Sequence, residues 1–304
     1  MTPPEKASLK SNLGEIVDGA LDSVGNYLAQ LKNYRVVALA HIAILAIVIA
    51  AVFANYYPLN PFNQNLMQSL NGPEISNSEH FPNLLGTDPL GRDLMVRVLL
   101  ATRISLIVGV LSVGIACVVG TTLGMLAGYL GGAVDAVVMR IVDALLALPF
   151  VVLGIAIVAA IGRSFFNIIF VLGFTGWITF AKLVRGQVLS LKEDEFIEAA
   201  RAIGCSVTRI LTRHVLPQVA GIVLVTITLT LGQMIISEAT LSFLGVGIPP
   251  SIPTLGGILN DAQTYLFSAW WIVLFPGIVL MVIVLSFNLI GRFLRDYFDP
   301  QIDV

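Results

Sequence analysis

Charge-free apolar runs of about bilayer length recur along this sequence, at residues 36–56, 104–126, 144–161, 164–181, 215–237 and 262–291. A helix needs about 20 predominantly apolar residues to cross a bilayer, and six such runs cannot all be hidden from water in one soluble core. A membrane barrel would show apolar–polar alternation in segments of about 10 residues, and none is present. Composition agrees: 57% of the 304 residues are hydrophobic and 12% charged, against about 25% charged in an ordinary soluble domain. The expected fold is all-α and integral to the membrane, with six transmembrane helices. Only Gly162 and Arg163 separate the third and fourth runs, which read as a tight helical hairpin.

Cationic side chains set the orientation, because Lys and Arg concentrate in cytoplasmic connections. Lys6, Lys10, Lys32 and Arg35 precede the first run, and Arg140 lies between the second and third. Lys182, Arg185, Lys192, Arg201, Arg209 and Arg213 lie between the fourth and fifth, and Arg292 and Arg295 follow the sixth. The opposite side holds Arg92, Arg97, Arg103 and Arg163. Both termini and the 182–213 connection are therefore expected in the cytoplasm. A net charge of −2 gives no reason to expect a nucleic-acid partner. The two cysteines, Cys117 and Cys205, sit on different elements without metal-ligand spacing, so neither a disulfide nor a metal site is expected.

Residues 1–35 do not resemble a cleavable signal, since acidic residues interrupt the approach to a late apolar run. Leu13, Ile16, Val17, Ala20, Leu21, Val24, Tyr27, Leu28 and Leu31 share one helical face, which suits a helix lying on membrane lipid or packed on the protein's own spans. The second run carries Gly120, Gly124, Gly128 and Gly132 at four-residue spacing, a pattern that lets helix backbones approach closely within lipid. The first outward connection, 57–103, is proline-rich. Gly86 and Gly91 bracket a turn, Asp93 suits a helix N-terminus, and Arg92 and Asp93 are expected to fix this connection. The second, 238–271, is neutral apart from Glu238 and Asp261 and rich in Gly and Pro. Its apolar character predicts backbone buried against the spans, where irregular structure is tolerated only when protein or a cavity covers it.

Between two such runs the sequence EDEFIEAARAIG (193–204) is charged and amphipathic. Ser190 with Glu193 has capping-box spacing and predicts a helix from about Leu191. Phe196, Ile197, Ala200 and Ile203 are expected along one face, with Ala199, Ala200 and Ala202 offering small side chains at its surface and Glu198 a charge. Gly204 supplies a left-handed stop. Ser206 can cap a second short helix that ends before Pro217. Helix, turn and second helix together make a docking element rather than a mere linker.

This stretch resembles the EAA signature of ABC importer permeases: EAA at 198–200, three residues, Gly204, nine residues, then Leu216-Pro217, with His214 where isoleucine is usual. LLGTDPLGRDLMVRVLLATRISLIVG (84–109) resembles the start of the second permease of dipeptide, oligopeptide and nickel importers. AGYLGG (127–132), MRIVDALLALP (139–149), SEATLSFLGVG (237–247), SAWWIVLFPG (268–277) and NLIGRFLRDYFDP (288–300) extend the likeness over about residues 35–300. The resemblance implies a type I importer permease (MetI-like) fold with a cytoplasmic coupling helix. It divides the chain into an N-terminal tail (1–35), a six-span domain (36–291) whose coupling loop is 185–217, and a C-terminal tail (292–304).

It further implies that Glu198, Ala199, Ala200, Gly204, Leu216 and Pro217 couple to ATPases. The implied partners are a homologous second permease, two cytoplasmic ATPase subunits and an extracytoplasmic substrate-binding protein. The sequence has no phosphate-cradling G-x-x-x-x-G-K-[ST] loop, so no cofactor is expected on this chain, and ATP and Mg2+ belong to the ATPases. The implied function is non-catalytic: a pathway for di- or oligopeptides, with nickel, glutathione or opines as alternative cargoes. An ion-gradient transporter is the rival class, but the internal repeat it would predict is not found.

Glu238 is the best candidate for a place beside the pathway, against a structural carboxylate accepting backbone hydrogen bonds from the second outward connection. His41 is expected to bond a neighbouring helix, and Asp143 to pair near Arg140 or to cap a helix start. Trp270 and Trp271 are expected as interfacial anchors.

Overall fold

The computed structural model describes residues 34–54, 61–73 and 83–298. The amphipathic face expected before residue 32 lies outside them. Nine helices are described: α1 (Arg35–Phe53), α2 (Leu94–Leu130), α3 (Gly132–Leu146), α4 (Phe150–Ile161), α5 (Phe165–Leu191), α6 (Glu195–Ala202), α7 (Val207–Phe243), α8 (Leu255–Ala262) and α9 (Trp271–Phe298). Five of them are long and apolar enough to cross a membrane. The pair α3–α4 makes a sixth crossing if its two halves are taken together.

That pair refines the span expected over 144–161. Its halves meet at 95°, and Pro149 is the N-cap of α4. A proline disfavours helical backbone in the residue before it and cannot donate its own amide, so the run divides there. Twelve residues of α4 reach only about 18 Å, short of the roughly 30 Å hydrocarbon layer. The second span is longer than the apolar run suggested: α2 has 37 residues, about 56 Å. Its first turns, with Leu94, Val96 and Val98 buried, lie under a cap built from the first connection. The last span begins at Trp271 rather than 262, because residues up to 270 belong to α8, a 3-10 turn and a short link.

The core is the α2–α5 pair, joined along α7. Cβ atoms built on Gly124 and Gly128 would lie 2.6 Å from the Ala181 carbonyl oxygen and 2.9 Å from Val188 Cβ, and one on Gly120 would meet the Trp177 carbonyl. Three of the four spaced glycines therefore set how closely α5 approaches. The fourth, Gly132, has open space around it and a φ of 52°. It opens α3 after the Gly131 cap and takes no part in packing. Gly124→Val should overpack this seam and cost about 1–3 kcal/mol. The check is heating in detergent, where the variant should lose its monodisperse chromatographic peak well before the parent.

At the end of the bundle away from α6, the cap centres on Asp88, which the sequence reading passed over. Its carboxylate accepts from the Leu90 and Arg92 amides at 2.9 Å each and from Arg92 Nε at 2.6 Å, and it pairs with Arg97. Gly86 and Gly91 both have positive φ. Asp93 caps α2 through the Val96 amide at 2.9 Å, and burial pushes its carboxyl above the usual carboxylate range. Trp271 is buried and donates Nε1–H to the Thr87 carbonyl at 3.2 Å, whereas Trp270 is half-exposed. The second connection is covered as expected: α8 lies so tightly on α7 that a Cβ on Gly256 would reach Ala239 Cα at 2.6 Å.

Candidate functional site

At the other end of the bundle, α6 lies against the ends of the long helices with one face exposed. It starts at Glu195 with Asp194 as N-cap, not near Leu191, because α5 runs on to Leu191 and a backbone turn follows, with the Glu193 amide on the Ser190 carbonyl. The Ser190–Glu193 spacing thus closes the end of one helix instead of opening the next. Gly204 does what was expected: at φ 79° it directs its amide to the Arg201 carbonyl, while the Cys205 amide reaches the Ala200 carbonyl at 3.0 Å. This is the paired hydrogen bonding of a left-handed helix stop. The Ser206 hydroxyl then accepts from the Arg209 amide and opens α7.

The faces of α6 also differ from the expectation. Ile197 and Ala200 are buried against the bundle, so Ala200 is an anchor and not a surface residue. Phe196 and Ile203, expected on one face with Ile197 and Ala200, are 41% and 81% exposed. Glu198, Ala199 and Ala202 are exposed with them. The outer face therefore combines a carboxylate, small side chains and two large apolar ones, a surface suited to another protein. Arg201 ties the helix to the end of α2: its guanidinium lies 5.0 Å from the centre of the Tyr129 ring, and Nε donates to the Tyr129 hydroxyl at 3.1 Å. Asp135 of α3 holds Arg185 of α5 by two parallel bonds, one of 2.6 Å. Neither pairing was anticipated, since their partners lie far apart in sequence.

Leu216 and Pro217 are not part of α6. They lie exposed in α7, and no separate short helix ends before Pro217. Residues Leu211–Val215 form a π turn, closed by the Leu216 amide on the Leu211 carbonyl, and the helix continues to Phe243. The proline has no amide to offer its helical acceptor, and the wider turn falls just before it, which lets the docking element run unbroken into a span.

Deeper in the bundle is a cleft of about 820 Å³. Thr175 and Thr179 of α5 and Thr226, Thr230, Gln233 and Ser237 of α7 form its polar wall, facing leucines of α3 and α4 and the neighbouring loop. Glu238 turns the other way. It does not end the span but lies inside α7, with no exposed surface. It accepts from Ser105 Oγ of α2 at 2.8 Å and Ser242 Oγ at 2.7 Å, with the Thr254 hydroxyl as a further partner. Its donors are side-chain hydroxyls of three helical segments, not the backbone amides that the sequence reading favoured.

The remaining candidates fall outside both places. His41 bonds the Val37 carbonyl of its own helix at 2.8 Å. Asp143 sits near the end of α3, exposed like Arg140, and forms no ion pair with it among the described residues. Cys117 and Cys205 are half-buried free thiols.

Comparison with known proteins bears on this arrangement. Residues 120–304 match the family of binding-protein-dependent transport system inner membrane components. The chain is 40% identical over 278 residues to the dipeptide transport system permease protein DppC of Alkalihalophilus pseudofirmus, covering 90% of this chain and 88% of that one. It is 32% identical over 293 residues to the oligopeptide transport system permease protein OppC of Bacillus subtilis, covering 96% and 95%. It is 40% identical over 273 residues to the glutathione transport system permease protein GsiD of Pectobacterium atrosepticum, covering 90% and 89%. Among solved structures, a chain of the MetNI methionine ABC transporter in inward-facing conformations aligns with a TM-score of 0.54. The identity is 21%, over 68% of this chain and 97% of that one. At that identity the likeness concerns the fold alone.

Proposed function

The chain belongs to the family of binding-protein-dependent transport system inner membrane components, and on that premise we propose that it forms one half of a peptide pathway driven through α6. It is an ABC importer permease, a multi-pass protein of the inner membrane. The reading beyond that assigns α6 and both termini to the cytoplasm, as the clustering of Lys and Arg supports. A cytoplasmic ATPase receives the exposed face of α6, where Glu198 and Ala199 lie between Phe196 and Ile203. Ala200 and Gly204 hold that face in place, and Leu216 and Pro217 carry its displacement into α7. A second permease closes the pathway, a binding protein delivers cargo from outside, and ATP with Mg2+ is hydrolysed on two ATPase subunits.

One observation carries this reading: a short helix with an exposed apolar and acidic face, anchored by Ile197, Ala200 and Arg201 and continuous through a π turn with a spanning helix. An anchored lever of this kind transmits a push, whereas a flexible linker absorbs it. Di- and oligopeptides are the assigned cargo, supported by the dipeptide and oligopeptide relatives. Glutathione, named for a third relative, is itself a peptide bearing carboxylates.

The test is affinity purification of the chain from its native membrane in mild detergent, with mass spectrometry of what accompanies it. We expect a homologous permease and proteins bearing a phosphate-binding loop. Isolation of the chain alone, from a preparation shown to keep other complexes intact, would remove the ATP-driven reading.

A further inference from the structure

The cleft between α5 and α7 has a chemistry that the docking helix does not explain. Within lipid, polar side chains face the bundle interior or water, because leaving them in hydrocarbon costs free energy. Thr179 and Gln233 nevertheless point outward from their helices, exposed, one on each polar wall, and neither has a hydrogen-bond partner among the described residues. This face therefore meets water or a polar partner rather than lipid tails. Two charged side chains line the cleft, Lys182 and Arg295, and no acidic one does. Neither cation has an ion-pair partner among the described residues.

Both cations stand toward the α6 end. Arg295 is in the last turn of α9, and Lys182 lies past Thr175 and Thr179 along α5. Lys182 is not simply a loop cation obeying the charge bias of cytoplasmic connections. Leu191 ends α5, which leaves Lys182 about 13 Å inside the helix at 1.5 Å per residue. Two exposed cations, beside hydroxyls and an amide and without a carboxylate among the described lining residues, give that end of the cleft a positive potential.

Resting on the permease reading above, we infer that this cleft is the water-filled stretch of pathway contributed by this chain, and that Lys182, helped by Arg295, draws a cargo carboxylate toward its inner mouth. The substrate class follows from the chemistry: small molecules with a free carboxylate, peptides among them, travelling carboxylate-first. Thr175 and Thr226 donate their hydroxyls to carbonyls of their own helices and carry no charge, so they hold such a cargo weakly, which favours passage over tight retention.

Charge-selective thiol labelling of the assembled complex tests the inference without knowledge of the cargo. With Cys117 and Cys205 replaced by serine, Thr179→Cys and Gln233→Cys are each reacted with a sulfonate-bearing and with a trimethylammonium-bearing methanethiosulfonate. Rates are divided by those of the same reagents with a small free thiol. We expect both positions to react, with a normalised preference for the anion of about tenfold that collapses when Lys182→Gln is added and shrinks less with Arg295→Gln. Failure of either position to react would show the face covered by lipid or protein and overturn the inference, as would a preference indifferent to Lys182→Gln. Failure of the permease reading shows separately, as absence of the ATPases from the same purified complex.

Discussion

Replacing Gly204 with valine should abolish peptide uptake, by at least tenfold, while leaving the amount of protein in the membrane close to normal. The reason lies in the backbone. Gly204 sits at φ 79°, where a β-branched residue is strongly disfavoured, and the strain is about 1–3 kcal/mol. A Cβ there would meet nothing within 4 Å, so the penalty is conformational and not a clash. The chain relieves it by leaving the left-handed region, which breaks the Cys205–Ala200 and Gly204–Arg201 hydrogen bonds and swings α6 relative to α7. The spans keep their packing, because only the anchor residues of α6, Ile197 and Ala200, lose core contacts.

The series of replacements separates this account from loss of a surface contact. Asparagine tolerates the left-handed region better than alanine, and alanine better than valine, so uptake should fall in the order Gly, Asn, Ala, Val. If the site instead needed only a small side chain for docking, alanine would surpass asparagine. Binding-protein-stimulated ATP hydrolysis should fall in the same order. Uptake at the parental level by a well-expressed Gly204→Val protein would show that the conformation of this stop has no part in coupling.

What could be read from sequence divides according to range. The existence of the spans, the break at Gly162 and the stop at Gly204 were legible because each depends on neighbouring residues alone. The break at Pro149 was equally local, yet hydropathy averaged over the run masked it. The start of α6 was misplaced because Ser190 and Glu193 have the right spacing for a cap, while α5 had enough apolar surface to continue through that point. Nor could Phe196 and Ile203 be assigned to the outer face from periodicity, since a helix of eight residues lying against a bundle need bury only a narrow stripe. Asp88 with Arg97, Asp135 with Arg185, and Tyr129 with Arg201 are tertiary pairings that no local pattern announces. The cleft is of the same kind. Its threonines read as ordinary span residues until α5 and α7 are placed side by side.

Glu238 is where sequence and structure pull hardest against each other, and its two substitutions should behave very differently. A carboxylate inside a span is by default a functional candidate, and Ser237 beside it does line the cleft. Glu238 faces away, wholly buried, with hydroxyls of Ser105, Ser242 and Thr254 gathered on it. Since Thr254 also caps α8 through the Gly257 amide, the group fastens α2, α7 and α8 together. Glu238→Ala would leave a void and strand those hydroxyls, costing about 2–4 kcal/mol, so little folded protein should survive solubilisation. Glu238→Gln keeps the shape and can still accept from one hydroxyl and donate to another, because hydroxyls rotate. It should cost under about 1 kcal/mol and leave peptide uptake within about twofold of the parent. A charged element of the pathway would give the reverse pattern, with Glu238→Gln folded and stable but transport reduced more than tenfold. Thermal stability in detergent and uptake, measured on the same two variants, therefore decide whether this carboxylate holds the end of the bundle away from α6 together or serves the cargo.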